Sequence, residues 1–127
     1  MTPLLICLLI TILMPFLAKA PLALAMHKES RYDNKYPRAQ QQRLDGFGAR
    51  ATAAHYNCFE ALACFAPAVL AVLAVDAVNQ TAVLCAWLFV AARVAYIVCY
   101  WLNQDVLRSV SWVVAKAVMI VLFVQAF

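Results

Sequence analysis

The chain has 127 residues, of which 67% are hydrophobic and only 13% are charged, and its formal net charge is +4. A soluble domain of this size could not bury so much apolar surface, so the composition excludes an ordinary water-soluble fold and indicates an integral membrane protein. No segment shows the alternating pattern of a transmembrane β-strand, so the membrane segments are predicted to be helices.

Four segments are long and apolar enough to cross a bilayer, which takes about 20 residues. The predicted spans are residues 3–26, 50–78, 81–102 and 109–127, and residues 27–49 form the one long loop. The other two connections are short, so consecutive helices should be antiparallel neighbours. We therefore predict an all-α membrane protein with one domain over residues 1–127, built as a four-transmembrane-helix bundle.

The first span resembles a signal peptide, because Ala18, Lys19 and Ala20 look like a cleavage site after an apolar run. However, no positive charge precedes that run, Pro21 disfavours cleavage, and apolar residues resume as far as Met26. We expect a retained span that bends at Pro15.

Basic residues set the predicted orientation. The first loop carries most of them, the last short loop carries Arg108, and the middle loop and both termini carry none; the first-loop residues are Lys28, Arg31, Lys35, Arg38 and Arg43. Both basic loops should face the cytoplasm and both termini the outside, in a bacterial inner membrane. This loop accounts for most of the net charge, so no nucleic-acid partner is expected. The loop either lies against anionic membrane lipids or only sets the topology.

Each predicted span also holds a charge in its cytoplasmic half: Lys19, Glu60, Arg93 and Lys116. An ionisable residue in the bilayer core is costly, so by default it marks a functional site. The two lysines are long enough to reach the interface with their ammonium groups. Glu60 and Arg93 should either pair with each other or serve the function.

The cysteines and histidines give no sign of a metal centre. All five cysteines lie in apolar segments without a C-x-x-C pair, so we expect small buried side chains and no disulfide framework; they are Cys7, Cys58, Cys64, Cys85 and Cys99. His27 and His55 lack neighbours at ligand spacing, so no metal site is expected.

Polar residues recur at helical spacing in two consecutive spans. Arg50, Asn57 and Glu60 are seven and three residues apart and share one side of the second span, whereas His55 points elsewhere. In the third span, Arg93 is followed by Tyr96 and Tyr100 at the same kind of spacing. The two stripes either line one cleft or form interhelical hydrogen bonds that hold the bundle together.

The second-span segment resembles the second helix of the MAPEG superfamily, the membrane-associated proteins in eicosanoid and glutathione metabolism. Its matching residues are Arg50-Ala51, His55-Tyr56-Asn57, Glu60-Ala61 and the later Pro67. Two further segments, Arg93-x-x-Tyr96-x-x-x-Tyr100 and Arg108-Ser109, resemble polar segments of the later helices. The first-loop residues, such as Arg31-Tyr32-Asp33-Asn34, are most similar to the prokaryotic, largely uncharacterised branch.

The resemblance implies a homotrimer that binds glutathione between subunits, near the cytoplasmic side, and attacks a lipophilic electrophile that arrives from the bilayer as a transferase or peroxidase. It implies that Arg108 stabilises the glutathione thiolate, with Ser109 as an alternative donor. The cofactor-binding residues that it implies are Arg50, Asn57, Glu60, Arg93, Tyr96 and Tyr100.

One position departs from the family pattern. Active members usually carry an arginine four residues before the asparagine, where this chain has Ala53, and Arg50 lies one turn earlier. Either Arg50 reaches in its place, or glutathione is not the ligand. Two alternatives therefore remain: a non-catalytic MAPEG-fold protein that binds a lipid or another anion, and a small multidrug-type transporter. The usual glutamate of such transporters lies in the first span, whereas Glu60 lies in the second.

Overall fold

The computed structural model describes all 127 residues, which form five α-helices and no strand. The helices are α1 (Thr2–Ser30), α2 (Pro37–Arg43), α3 (Gly46–Ala74), α4 (Gln80–Trp101) and α5 (Asp105–Val124). All except the short α2 are long and apolar enough to cross a membrane. The predicted all-α, four-transmembrane-helix bundle is confirmed.

The helices differ from the predicted spans mainly at their polar ends. Helix α1 continues past Met26 to Ser30, α3 begins at Gly46, and α5 begins at Asp105. These turns have a polar composition that hydropathy assigns to loops, yet their backbone groups continue the helical hydrogen bonds. At its other end, away from the first loop, α3 ends at Ala74, before the predicted limit of residue 78.

Helix α3, like α4, packs against all of the other long helices. It presents small buried residues to its neighbours, including Ala54, Ala61 and Ala68, which let helices approach closely in a membrane. The ring of Phe65 stacks on that of Phe89 of α4, with centroids 4.1 Å apart. In contrast, α5 buries only Ala115 and Leu122 and leaves the rest of its surface uncovered within one chain.

The first loop is folded against one end of the bundle, which we call the loop side. The fully buried Gln40 donates through Nε2 to the carbonyl oxygens of Met26, at 3.0 Å, and Arg31, at 2.9 Å. Its Oε1 accepts a hydrogen bond from the backbone N–H of Asp33 at 2.9 Å. Gln40 thereby connects the end of α1 to the backbone of the first loop. The segment is thus an ordered part of the fold rather than a solvated connection.

Candidate functional site

Asn57 on α3 joins a buried cation to an exposed anion. Its side-chain oxygen accepts a hydrogen bond from Nη2 of Arg93 at 2.5 Å, and its Nδ2 donates to Oε2 of Glu60 at 2.6 Å. The predicted side-by-side placement of Asn57 and Glu60 follows from their spacing of three residues on one helix. Glu60 and Arg93 are therefore linked through an amide instead of by the direct ion pair that was one reading of the sequence.

The side chain of Arg93 is enclosed between Asn57 of α3 and Tyr96 of α4. It is only 2% exposed, and its guanidinium lies over the ring of Tyr96 at 4.2 Å from the centroid. A second, longer hydrogen bond of 3.4 Å runs from Nη2 to the backbone oxygen of Asn57. Its Nε is buried without a partner. An arginine this enclosed positions its neighbours and has little freedom to follow a ligand.

The row of polar and aromatic side chains that includes Arg93 continues along α4 to the start of α5. The rings of Tyr96 and Tyr100 meet edge to face with centroids 5.3 Å apart, and the guanidinium of Arg108 lies 4.5 Å from the Tyr100 centroid. An open groove of about 240 Å³ passes between α4 and α5 at this point. Its lining residues are Tyr96, Tyr100, Arg108, Ser109, Trp112 and Val113. One surface therefore carries both predicted tyrosines and both predicted catalytic residues.

Arg108 and Ser109 differ in what they can offer a ligand in this groove. Arg108 uses the face of its guanidinium against Tyr100, which leaves the N–H edge available for an anion. The hydroxyl of Ser109 donates to the backbone oxygen of Asp105 at 3.0 Å, so its hydrogen is already used inside α5. Of the two, Arg108 is the better placed to meet a developing negative charge.

Arg50 and His55 lie on different sides of α3. Arg50 is half-buried two turns before Asn57, and its Nε is buried without a hydrogen-bond partner. No hydrogen bond connects it to the chain of groups from Glu60 to Arg93. His55 faces α1, where its Nδ1 lies 2.9 Å from the carbonyl oxygen of Pro15. The prediction that His55 points away from the Asn57 stripe is confirmed.

Sequence reasoning missed Trp112, which lines the groove, and named Lys116 only as a charge within the fourth span. Trp112 lines the groove one turn after Arg108, a spacing of four residues that places both on one side of α5. The ammonium of Lys116, one turn further, lies 5.6 Å from the Trp112 ring and donates to Sγ of Cys64 at 3.5 Å. Cys64 is exposed on the chain surface and Cys99 is half-buried, so the expectation of five buried cysteines was wrong for these two.

The family model described as the MAPEG family matches residues 3–127, which is essentially the whole chain. No individual curated protein and no solved structure matches the chain significantly. Because the family match extends from the first span to the last residue, the chain belongs to the MAPEG family and is a multi-pass integral membrane protein.

Proposed function

We propose that the protein is a glutathione-dependent transferase or peroxidase that acts on lipophilic electrophiles in the groove between α4 and α5. The observation that carries the proposal is the position of Arg108, half-buried at the groove with its guanidinium stacked on Tyr100. A thiol beside a fixed guanidinium in a poorly solvated cleft loses its proton more readily, and the thiolate is the attacking form. The thiolate sulfur then bonds to the electrophilic atom, and the leaving group departs.

Three polar side chains of α3 suit the rest of the tripeptide. Glu60 offers an exposed carboxylate to an ammonium group, and Asn57 fixes the direction of that carboxylate. The unpartnered Nε of Arg50 needs an acceptor, which a peptide carboxylate would supply. Arg50 then takes the place of the arginine that active members of the family carry at the position of Ala53.

The exposure of Glu60 supports assembly of several chains. Glu60 lies within a long apolar helix, yet within one chain its carboxylate is on the surface. A carboxylate in the membrane faces protein or a water-filled cavity instead of lipid. We therefore propose a homotrimer in which a neighbouring subunit covers this side of α3. Native mass spectrometry from detergent should show three subunits, and a stable monomer or antiparallel dimer would contradict this assembly.

The proposed location is a bacterial inner membrane, with both basic loops in the cytoplasm and the groove near the cytoplasmic face. The proposal rests on the basic first loop and on Arg108, because positively charged loops are normally retained in the cytoplasm. A lipophilic substrate then reaches the groove laterally from the bilayer, and glutathione reaches it from the cytoplasm.

A second candidate function is supported by Ala53, which cannot provide the bidentate contact of an arginine. In that case the protein keeps the MAPEG fold without catalysis, and Arg50 and Arg108 bind a lipid or another anion. A transporter is not favoured, because the membrane carboxylate is on α3 and is held by Asn57.

Thermal unfolding of the purified protein in detergent separates the two candidates. Glutathione at 100 times its Kd should stabilise the fold by about 2.7 kcal/mol. An analogue with a methyl group in place of the thiol should stabilise the protein comparably. Thiolate absorbance in the ultraviolet should appear with glutathione alone. Absence of stabilisation by both peptides would reject glutathione as the ligand, and stabilisation without thiolate absorbance would reject the chemistry.

A further inference from the structure

We infer that Lys19 and Tyr32 form a binding site for the headgroup of an anionic phospholipid, on a side of the bundle separate from the groove. The ammonium of Lys19 lies over the ring of Tyr32, 5.9 Å from its centroid. Lys19 belongs to α1 and Tyr32 to the segment that follows it, whereas the groove is lined by residues of α4 and α5. The inference does not depend on the proposed function.

The depth of the pair is that of lipid headgroups. At about 1.5 Å per residue, Lys19 lies roughly 26 Å along α1 from Thr2, near the far side of a hydrocarbon core about 30 Å thick. Tyr32 packs, together with Trp101 at the end of α4, on a small cluster that includes Ala51 in the second turn of α3. The end of α4 and the start of α3 therefore lie at the level of Tyr32.

The outer face of α1 provides a path for an acyl chain below this pair. Four large apolar side chains on this face are exposed: Leu5, Leu9, Ile12 and Phe16. They follow one another at spacings of four, three and four residues, and Lys19 comes three residues after the last, so all five share one face. The face is apolar along its length and cationic at one end, which is the complement of a lipid with a negatively charged headgroup.

Two carboxylates close to Tyr32 in the sequence already accept hydrogen bonds from other groups. Asp33 accepts hydrogen bonds from the backbone N–H groups of Lys35 and Tyr36, at 2.8 and 3.0 Å. Glu29 accepts from the hydroxyl of Ser30 at 2.9 Å. Lys19 therefore lacks a carboxylate partner in the chain, and a phosphodiester oxygen can accept from its ammonium and from the Tyr32 hydroxyl. A zwitterionic lipid carries its own cation, which Lys19 would repel.

The test measures lipid retention by native mass spectrometry of the delipidated full-length protein, after titration with phosphatidylglycerol or phosphatidylcholine. The wild type should prefer phosphatidylglycerol, and Lys19→Met should reduce its binding about fivefold, the equivalent of about 1 kcal/mol for one basic residue near a charged membrane surface. Tyr32→Phe should give a smaller reduction. Lys35→Met is the matched control, because it removes the same charge from an exposed lysine that lies over Tyr36 instead. Millimolar inorganic phosphate should not displace the lipid.

Several results would overturn the inference. Equal retention of the two lipids by the wild type would remove the preference for an anion, and this measurement needs no variant to fold. Unchanged binding by Lys19→Met, or an equal loss with Lys35→Met, would show only general attraction to a charged surface. Displacement by phosphate would identify the ligand as the free anion. Dissociation of the assembly by Lys19→Met would show that another copy of the chain covers this face.

Discussion

Arg93 on α4 donates a hydrogen bond to the side-chain oxygen of Asn57 on α3, and this contact fixes the two helices at the level of the candidate site. The same amide then donates to Glu60, so its two ends serve groups of opposite charge. Only a side chain with both a donor and an acceptor in a fixed plane can do this. The relationship makes Asn57 a structural residue as well as a candidate ligand-binding residue.

We expect Asn57→Ala to destabilise the fold by about 1–3 kcal/mol, because it removes the shorter of the two hydrogen bonds that the buried guanidinium makes to residue 57. The free energy of unfolding can be measured by titrating SDS into the protein in mild detergent. Asn34→Ala, at an exposed position in the first loop, is the control and should have no effect. Equal stability of Asn57→Ala and the wild type would show that Arg93 finds another acceptor.

Glu60→Gln should leave the stability of the chain unchanged but weaken glutathione binding about tenfold, which corresponds to about 1.4 kcal/mol. Glutamine keeps an oxygen that can accept the hydrogen bond from Asn57, and it removes the negative charge that an ammonium group would meet. Calorimetric titration gives the affinity, and Glu29→Gln is the exposed control. If Glu60→Gln binds glutathione as tightly as the wild type, the carboxylate has no part in recognition.

Arg108→Ala should lower turnover with a chlorinated nitrobenzene on the order of 100-fold, as expected when one donor to a developing anion is removed. Glutathione affinity should change little, since the charge that Arg108 meets develops on sulfur. Arg108→Lys should recover part of the rate, because an ammonium lacks the planar fork of a guanidinium. Full activity in both variants would mean that Arg108 only anchors α5 at the headgroups.

Gln40→Ala should destabilise the loop side by about 1–3 kcal/mol, because the buried backbone groups of Met26, Arg31 and Asp33 lose their partner. Limited proteolysis between α1 and α3 should become faster. Gln42→Ala removes the same side chain from an exposed position of α2 and is the matched control. Equal proteolysis rates in the two variants would contradict the role of Gln40.

A reporter that is active only outside the cytoplasm should be active when it is fused after Phe127. The same reporter should be inactive when it is inserted next to Gln41. This outcome follows from the one-sided distribution of lysine and arginine in the loops. A cytoplasmic C-terminus would place the groove and the first loop on the outer face, where cytoplasmic glutathione could not reach them.

Much of the architecture was predictable because it depends on local properties of the chain. The apolar runs predict the four long helices, and the helical period places Asn57 beside Glu60 and Arg93 beside Tyr96. Those neighbours are confirmed by the contacts in the structure. Spacing along a helix fixes which side a residue takes, but it does not fix which group on the next helix it meets.

The contacts that sequence reasoning missed depend on tertiary packing. Gln40 is in a polar stretch of the sequence, yet it is fully buried and its amide is hydrogen-bonded to the end of α1. The stack of Arg108 on Tyr100 requires the short turn between α4 and α5, whose geometry hydropathy does not specify. The placement of Lys116 beside Cys64 joins residues 52 positions apart. Each of these contacts needs the three-dimensional structure.

The buried Arg93 also has a consequence for how the chain enters the membrane during synthesis. An arginine at the middle of an inserting helix costs about 2.5–3.5 kcal/mol, so the insertion of α4 into the bilayer on its own is less favourable. Asn57 precedes Arg93 in the chain and is already in place on α3 when α4 leaves the ribosome. The short connection between Ala74 and Gln80 keeps the two helices together at the translocon. We therefore expect α3 to favour the insertion of α4 into the bilayer, through the same amide that organises the candidate site.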